Sequence, residues 1–173
     1  MSEQSNNQTK QLGSILLVTG WILCIIIIAL LYHKSLYCAK TPTISVNQSE
    51  TKVIIPISFD SHYHLQGQIN NKTIDFLIDT GASKLSISEN LAKKMNLAFG
   101  QTIFVATANG NVSGYLTKLP NLIIAAIEFH NVPAIIIPSM SDEALLGMNI
   151  LKKFDMSQHE DNLILLYKTK EHP

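Results

Sequence analysis

The chain is short of several things that would make its class obvious. Two cysteines among 173 residues cannot build a disulfide framework. Cys24 sits inside an apolar run; Cys38 lies just beyond it, either as a free thiol or bridged to the Cys38 of another copy. Net charge is absent, because 13 Lys+Arg cancel 13 Asp+Glu, and no basic run carries interleaved aromatics. That excludes the electrostatic footprint of a nucleic-acid binder. There is no HExxH and no cysteine pair, so His33, His62, His64, His130, His159 and His172 have no zinc pattern to complete. Asp60, His62, Tyr63 and His64 make only a weak patch, and neither a metal nor a cofactor is expected. No segment repeats: the triplet Asp-Thr-Gly occurs once.

Charge is also scarce, at 15% of residues against 46% hydrophobic, and the cause is local. Residues 12–32 read LGSILLVTGWILCIIIIALLY, with no charge between Lys10 and Lys34. A helix of that length rises about 31 Å, enough for a bilayer core, and predicts a single transmembrane helix. A cleaved leader fits less well, since Leu36 and Tyr37 before Ala39 do not make an Ala-x-Ala site. Lysines flank both ends and leave the orientation open. The organisation expected is a polar tail over 1–11, the membrane helix over 12–32, a linker over 33–51, a folded domain over 52–167 and a tail over 168–173.

The folded part reads as strands. VIIPISF (Val53–Phe59), HLQGQI (His64–Ile69), TIDFLI (Thr73–Ile78) and LSIS (Leu85–Ser88) are separated by short polar turns. Glu89–Met95 is a short helix candidate with Ser88 as its cap. Asn109-Gly110 predicts a hairpin turn in the middle of Thr102–Leu119. Leu122–Pro138 supplies two further β-rich runs around a tip at Glu128–Asn131. A short helix starts near Met148, and LILLY (Leu163–Tyr167) is a last strand. Short strands with turns at close spacing indicate an all-β fold, closed or sandwich-like. Asn47, Asn71 and Asn111 fall in N-x-Ser/Thr patterns and read as ordinary loop residues.

Chemistry points to Asp79, at the end of the apolar run Phe76-Leu77-Ile78. A carboxylate carried into an interior must neutralise or find partners. Thr80 adds a hydroxyl, Gly81 allows close backbone approach, and Ala82 and Ser83 are small. Taken alone, Asp-Thr-Gly-Ala-Ser is equally a plain β-turn.

Three further blocks accompany the triplet in order. VATANGNVSGY spans Val105–Tyr115, ALLGMNILKKFD spans Ala144–Asp155, and NLILL spans Asn162–Leu166. Together with FLIDTGAS (Phe76–Ser83), they make the domain resemble the retropepsin-like aspartic proteases, in particular their bacterial membrane-anchored branch, which implies an all-β closed barrel with one short C-terminal helix. The resemblance implies a catalytic Asp79, with Thr80 gripping the partner loop and Gly81 beneath the carboxylates. It implies substrate contacts from Ala82 and from the flap residues Thr107, Ala108, Asn109 and Gly110. Leu145, Leu146 and Gly147 would cross behind the catalytic loop.

Aspartic-protease chemistry needs two carboxylates sharing a proton. Asp75 lies about 13 Å along the strand, too far, while Asp142, Glu143, Asp155 and Asp161 read as solvated or salt-bridged acids and Glu128 lies near His130 at an exposed tip. The second carboxylate is therefore expected from another copy, through a homodimer at the catalytic loops. This leads to a membrane-anchored aspartic endopeptidase of the bacterial inner membrane, with its domain on the periplasmic side and peptides or proteins as substrates. The alternative is a catalytically inactive module of the same fold that binds peptides or assembles with other chains.

Overall fold

A computed structural model of the chain describes residues 16–31, 41–47, 49–107 and 110–168. The chain divides into two compact units, Met1–Ala39 and Lys40–Pro173. In the first unit, residues 16–31 form helix α1, with every side chain exposed. At 1.5 Å per residue it is about 24 Å long, against about 30 Å of bilayer hydrocarbon. Residues 12–15 and 32 of the expected span lie outside the described residues. Among the described residues, no helix is long and apolar enough to cross a membrane. The single-pass anchor, the membrane-anchored branch and the inner-membrane placement are corrected accordingly.

The second unit contains two sheets. The smaller is antiparallel, in the order β1-β2-β11-β10. Its strands are β1 (Thr43–Val46), β2 (Glu50–Pro56), β10 (Asp155–His159) and β11 (Asn162–Lys168). Alternation along β2 turns Val53 and Ile55 into the core, and the register pairs Val53 with the fully buried Leu165 of β11. β1 and β10 are the outer strands, and all their residues are exposed. β1 falls in a stretch whose composition reads as linker.

The larger sheet is mixed and has the order β3-β4-β9-β5-β8-β7-β6. It comprises β3 (His64–Ile69), β4 (Lys72–Ile78), β5 (Leu85–Ser88), β6 (Thr102–Thr107), β7 (Gly110–Ile124), β8 (Ile127–Ile137) and β9 (Ala144–Leu146). It curls until β3 meets β7 over three residue pairs, Gly67–Ile69 against Leu122–Ile124. The single closed barrel expected from sequence is nevertheless not formed. The strands divide between two sheets, and β6 stays outside as an edge paired only with β7. Two short helices complete the unit, α2 (Glu89–Lys94) and α3 (Met148–Leu151).

Local chemistry accounts for the connections. Asn70 and Asn71 both take positive φ between β3 and β4, as a tight hairpin requires. The long hairpin β7–β8 turns at Ala125-Ala126, with φ of 52° and 67°, because Ile124 pairs with Ile127. Glu128 and His130 therefore stand within β8, not at a tip. In the β6–β7 hairpin Thr107 faces Gly110, whose φ is +105°, so Gly110 already belongs to the second strand.

Phe76, Leu65, Leu85, Ile87, Leu119, Leu122, Ile136 and Leu146 are fully buried at the centre of the core. An aromatic cluster joins the two sheets: Phe154 lies 6.3 Å from Phe129 of β8 and 5.6 Å from Tyr167 of β11. The β5–α2 junction is held by Ser88, whose Oγ accepts from the Leu91 N–H at 3.2 Å and bonds Asp142 Oδ1 at 3.3 Å. The Asn90 side chain, and then the charge of Lys94, hold the Asp142 carboxyl below its ordinary value. A depressed folded-state value stabilises the fold above the unfolded value, about 3.9, and that contribution is lost as pH falls through the lower folded value. Urea unfolding of Asp142→Asn across acidic pH should show a smaller loss of stability below about pH 4 than the parent chain.

Candidate functional site

Strand β4 delivers Asp79. Ile74 and Phe76 anchor its inward face, and the strand runs parallel to β9 with Phe76, Leu77 and Ile78 opposite Ala144, Leu145 and Leu146. The Asp79 N–H continues this ladder by donating to the Leu146 carbonyl at 3.2 Å. The chain then turns. Asp79 Oδ1 accepts from the Gly81 N–H at 2.8 Å, and the Asp79 carbonyl accepts from the Ala82 N–H at 3.3 Å. The turn chemistry of Asp-Thr-Gly is thus present, and it leaves the Asp79 side chain half-buried at a strand end.

The turn is gripped from behind by the start of α3. Met148 N–H donates to the Ala82 carbonyl at 2.8 Å, and Asn149 N–H to that of Ser83 at 3.2 Å. A Cβ on Gly147 would come within 2.5 Å of the Lys84 carbonyl oxygen and 2.8 Å of that of Ala82, so only glycine permits this approach. The Asn149 side chain adds a second tie. Its Oδ1 accepts from the Leu85 N–H at 2.8 Å, while its Nδ2 donates to the Pro133 carbonyl at 2.8 Å. One side-chain amide thereby joins α3 to β5 and β8, while the backbone of the same residue holds the turn.

In front of Asp79 lies a groove of about 490 Å³. The turn contributes Asp79, Gly81, Ala82, Ser83 and Lys84, and β6 contributes Val105, Ala106 and Thr107. Ser86 of β5, Ile135 and Ile137 of β8, and Leu145 of β9 supply the rest of the lining. Asp79, Ala82 and Thr107 therefore converge on one groove. Thr80 is exposed and does not line it. Gly110 is outside the lining as well, and its carbonyl accepts from Thr107 Oγ1 at 2.7 Å. Ala108 and Asn109 lie outside the described residues. Ser86, Lys84, Ile135, Ile137 and Asn149 were not singled out from sequence. The amide two positions after the Gly of the LLGMN block was the available signal for Asn149.

Among the described residues Asp79 is the only acid lining the groove. Asp75 accepts from Gln66 on the outer face of β4, Asp155 pairs with Lys168 at 2.8 Å, and Glu128 lies 3.8 Å from His130. The homodimer through the catalytic loops is corrected too. The Asp79 turn borders an open groove, with no carboxylate pair and no dimer interface among the described residues. Hydrolysis by two Asp79 carboxylates in a membrane-anchored enzyme is set aside on the same grounds. At the β2–β3 turn, Asp60 Oδ2 lies 2.8 Å from His64 Nε2, a bond that holds the Asp60 carboxyl below its ordinary value. Among the described residues no three His, Cys, Asp or Glu side chains are placed to hold a metal ion.

With the strand-ended Asp79 turn and its groove in place, comparison with known proteins is direct. Residues 65–153, just over half of the chain, match the family described as "gag-polyprotein putative aspartyl protease", and the chain belongs to that family. The fold is that of the retropepsin-like aspartic proteases: it is similar to the crystal structure of one from Rickettsia conorii, with a TM-score of 0.59 and 26% identity, over 75% of this chain and 98% of that one. An uncharacterized protein of Rickettsia prowazekii (strain Madrid E) is 28% identical over 138 residues, 78% of this chain and 59% of that protein. Another, from the cobV 5′ region of Sinorhizobium sp, is 27% identical over 123 residues, 69% of this chain and 53% of that protein. The chain therefore spans less than two thirds of the length of either curated relative.

The two ties behind the turn should be separable by experiment. Asn149→Ala strands the Leu85 N–H and should cost about 1–3 kcal/mol, read as a lower urea midpoint with faster amide exchange at Leu85. Gly147→Ala pushes a methyl into two carbonyl oxygens and should cost about 1–3 kcal/mol by overpacking. Unchanged midpoints in both variants would contradict this account of the turn.

Proposed function

We propose that the chain is a retropepsin-fold module that binds an extended peptide in the groove beside Asp79. The observation that carries this reading is the position of β6. It is the edge of the larger sheet, it contributes Val105, Ala106 and Thr107 to the groove, and it is paired on one side only. Edge strands offer unpaired N–H and C=O groups to an incoming strand, while flanking pockets take alternate side chains. In this proposal Ala82 and Thr107 contact the peptide, with Gly110 at the adjoining strand end. Asp79 gives the groove a fixed acceptor.

A second reading is aspartic endopeptidase activity, favoured by the intact Asp79-Thr80-Gly81 within a family of aspartyl proteases. On that reading Asp79 accepts a proton from a water attacking the peptide carbonyl, with Thr80 and Gly81 shaping the turn that holds it. Protonation of the carbonyl oxygen then requires an acid that the described groove does not supply. Binding is accordingly the better supported of the two.

Both readings are tested with one set of reagents. The full chain and Asp79→Asn are titrated with a labelled library of extended peptides and examined for cleavage products by mass spectrometry from acidic to neutral pH. The expected result is binding by both proteins, no cleavage, and binding at least about tenfold weaker in Thr107→Trp, which obstructs the groove. Cleavage by the parent chain that is lost in Asp79→Asn establishes the endopeptidase instead. Failure of the folded parent chain to bind any peptide overturns the binding proposal.

A further inference from the structure

The groove carries one cation that its own structure does not neutralise. Lys84 lines it, immediately before β5, and is exposed. The other lysines near acids are engaged: Lys93 with Glu89 at 2.5 Å, Lys94 with Asp142 at 3.4 Å and Lys168 with Asp155 at 2.8 Å. Among the described residues Lys84 has no ion pair within 4.0 Å, although Asp79 borders the same groove. Asp79 directs Oδ1 to the Gly81 N–H instead. The chain contains no arginine, so every fixed side-chain cation is a lysine, and among the described residues Lys84 is the only one lining the groove.

Seating a peptide on such a surface removes water from Lys84. An ammonium that loses hydration without gaining an anion opposes binding, and a like charge brought to it opposes binding further. The rest of the lining is largely aliphatic, from Val105, Ile135, Ile137 and Leu145. We infer that the groove selects an extended peptide that carries an aspartate or glutamate beside aliphatic side chains, with Lys84 pairing the acidic side chain. This inference rests on the peptide-binding reading and names its ligand class.

The test uses the full chain and two labelled decapeptides, identical except for one central position, Glu in one and Lys in the other, flanked by Val, Ile and Leu. At low ionic strength the Glu peptide should bind about three- to tenfold tighter, a ratio that shrinks as salt is raised through screening. Lys84→Met should abolish the preference for the Glu peptide, leaving Asp79 as the one charge lining the groove among the described residues, and Lys84→Glu should make the Lys peptide the clearly tighter ligand. Both variants are exposed-site changes, and unchanged urea midpoints certify their folding. Equal binding of the two peptides by the parent chain overturns the inference while leaving the peptide-binding proposal standing. A preference for Glu that persists unchanged in Lys84→Met overturns the role of Lys84. Binding of neither peptide by the parent chain overturns the inference; if the wider library also fails to bind, the peptide-binding reading falls with it.

Discussion

The absence of a side chain at Gly147 is the constraint on which the site depends. The carbonyl oxygens of Ala82 and Lys84 occupy the space where a Cβ would stand, within 2.8 Å and 2.5 Å. That approach lets the first N–H groups of α3 reach the Ala82 and Ser83 carbonyls. A helix start leaves N–H donors unsatisfied, and a turn between strands leaves acceptors unsatisfied. Here each resolves the other. Asn149 then fastens the arrangement to β5 and β8 through its two amide atoms.

The groove follows from that assembly. With the turn held from behind, Asp79 stands at the end of a parallel strand pair, and β6 borders the groove as an edge strand paired only with β7. The aliphatic lining from β8 and β9 comes from strands that also send Ala134, Ile136, Ala144 and Leu146 into the core. The electrostatics are sparse: one carboxylate whose Oδ1 accepts from the Gly81 N–H and one lysine without an ion pair among the described residues.

Much of the strand pattern was legible because alternation is a strong signal when one face is buried. β3 coincides with HLQGQI for that reason; β5 coincides with LSIS, whose sequence alternates although both of its faces are buried, and Ser88 caps α2 as its residue type suggests. β1 and β10 were not legible: DMSQH shows no alternation, TISV alternates over only four residues within a polar stretch, and both strands are exposed along their whole length. The β7–β8 turn was displaced because Ala125-Ala126 carries none of the residue types that mark positive φ, whereas the polar stretch at Glu128–Asn131 does. The apolar stretch over 12–32 suggested more helix than the described residues provide. The position of Asp79 at a strand end was readable from the run before it. The residues completing the groove were not, since Ile135, Ile137 and Leu145 look like any core residue until register is known.

The tie between Leu85 and Asn149 closes a loop of 64 residues in sequence. Ordering so long a loop costs entropy that only the contacts at its ends and within it can offset. Contacts this remote also form late in folding, since local hairpins such as β3–β4 and β7–β8 assemble on far shorter separations. During synthesis, a chain that has not yet released α3 has its Asp79 turn but nothing to fasten it. A chain that still lacks β9 and α3 therefore lacks Leu145 of the lining and the ties behind the Asp79 turn, so the groove needs residues from both ends of that loop.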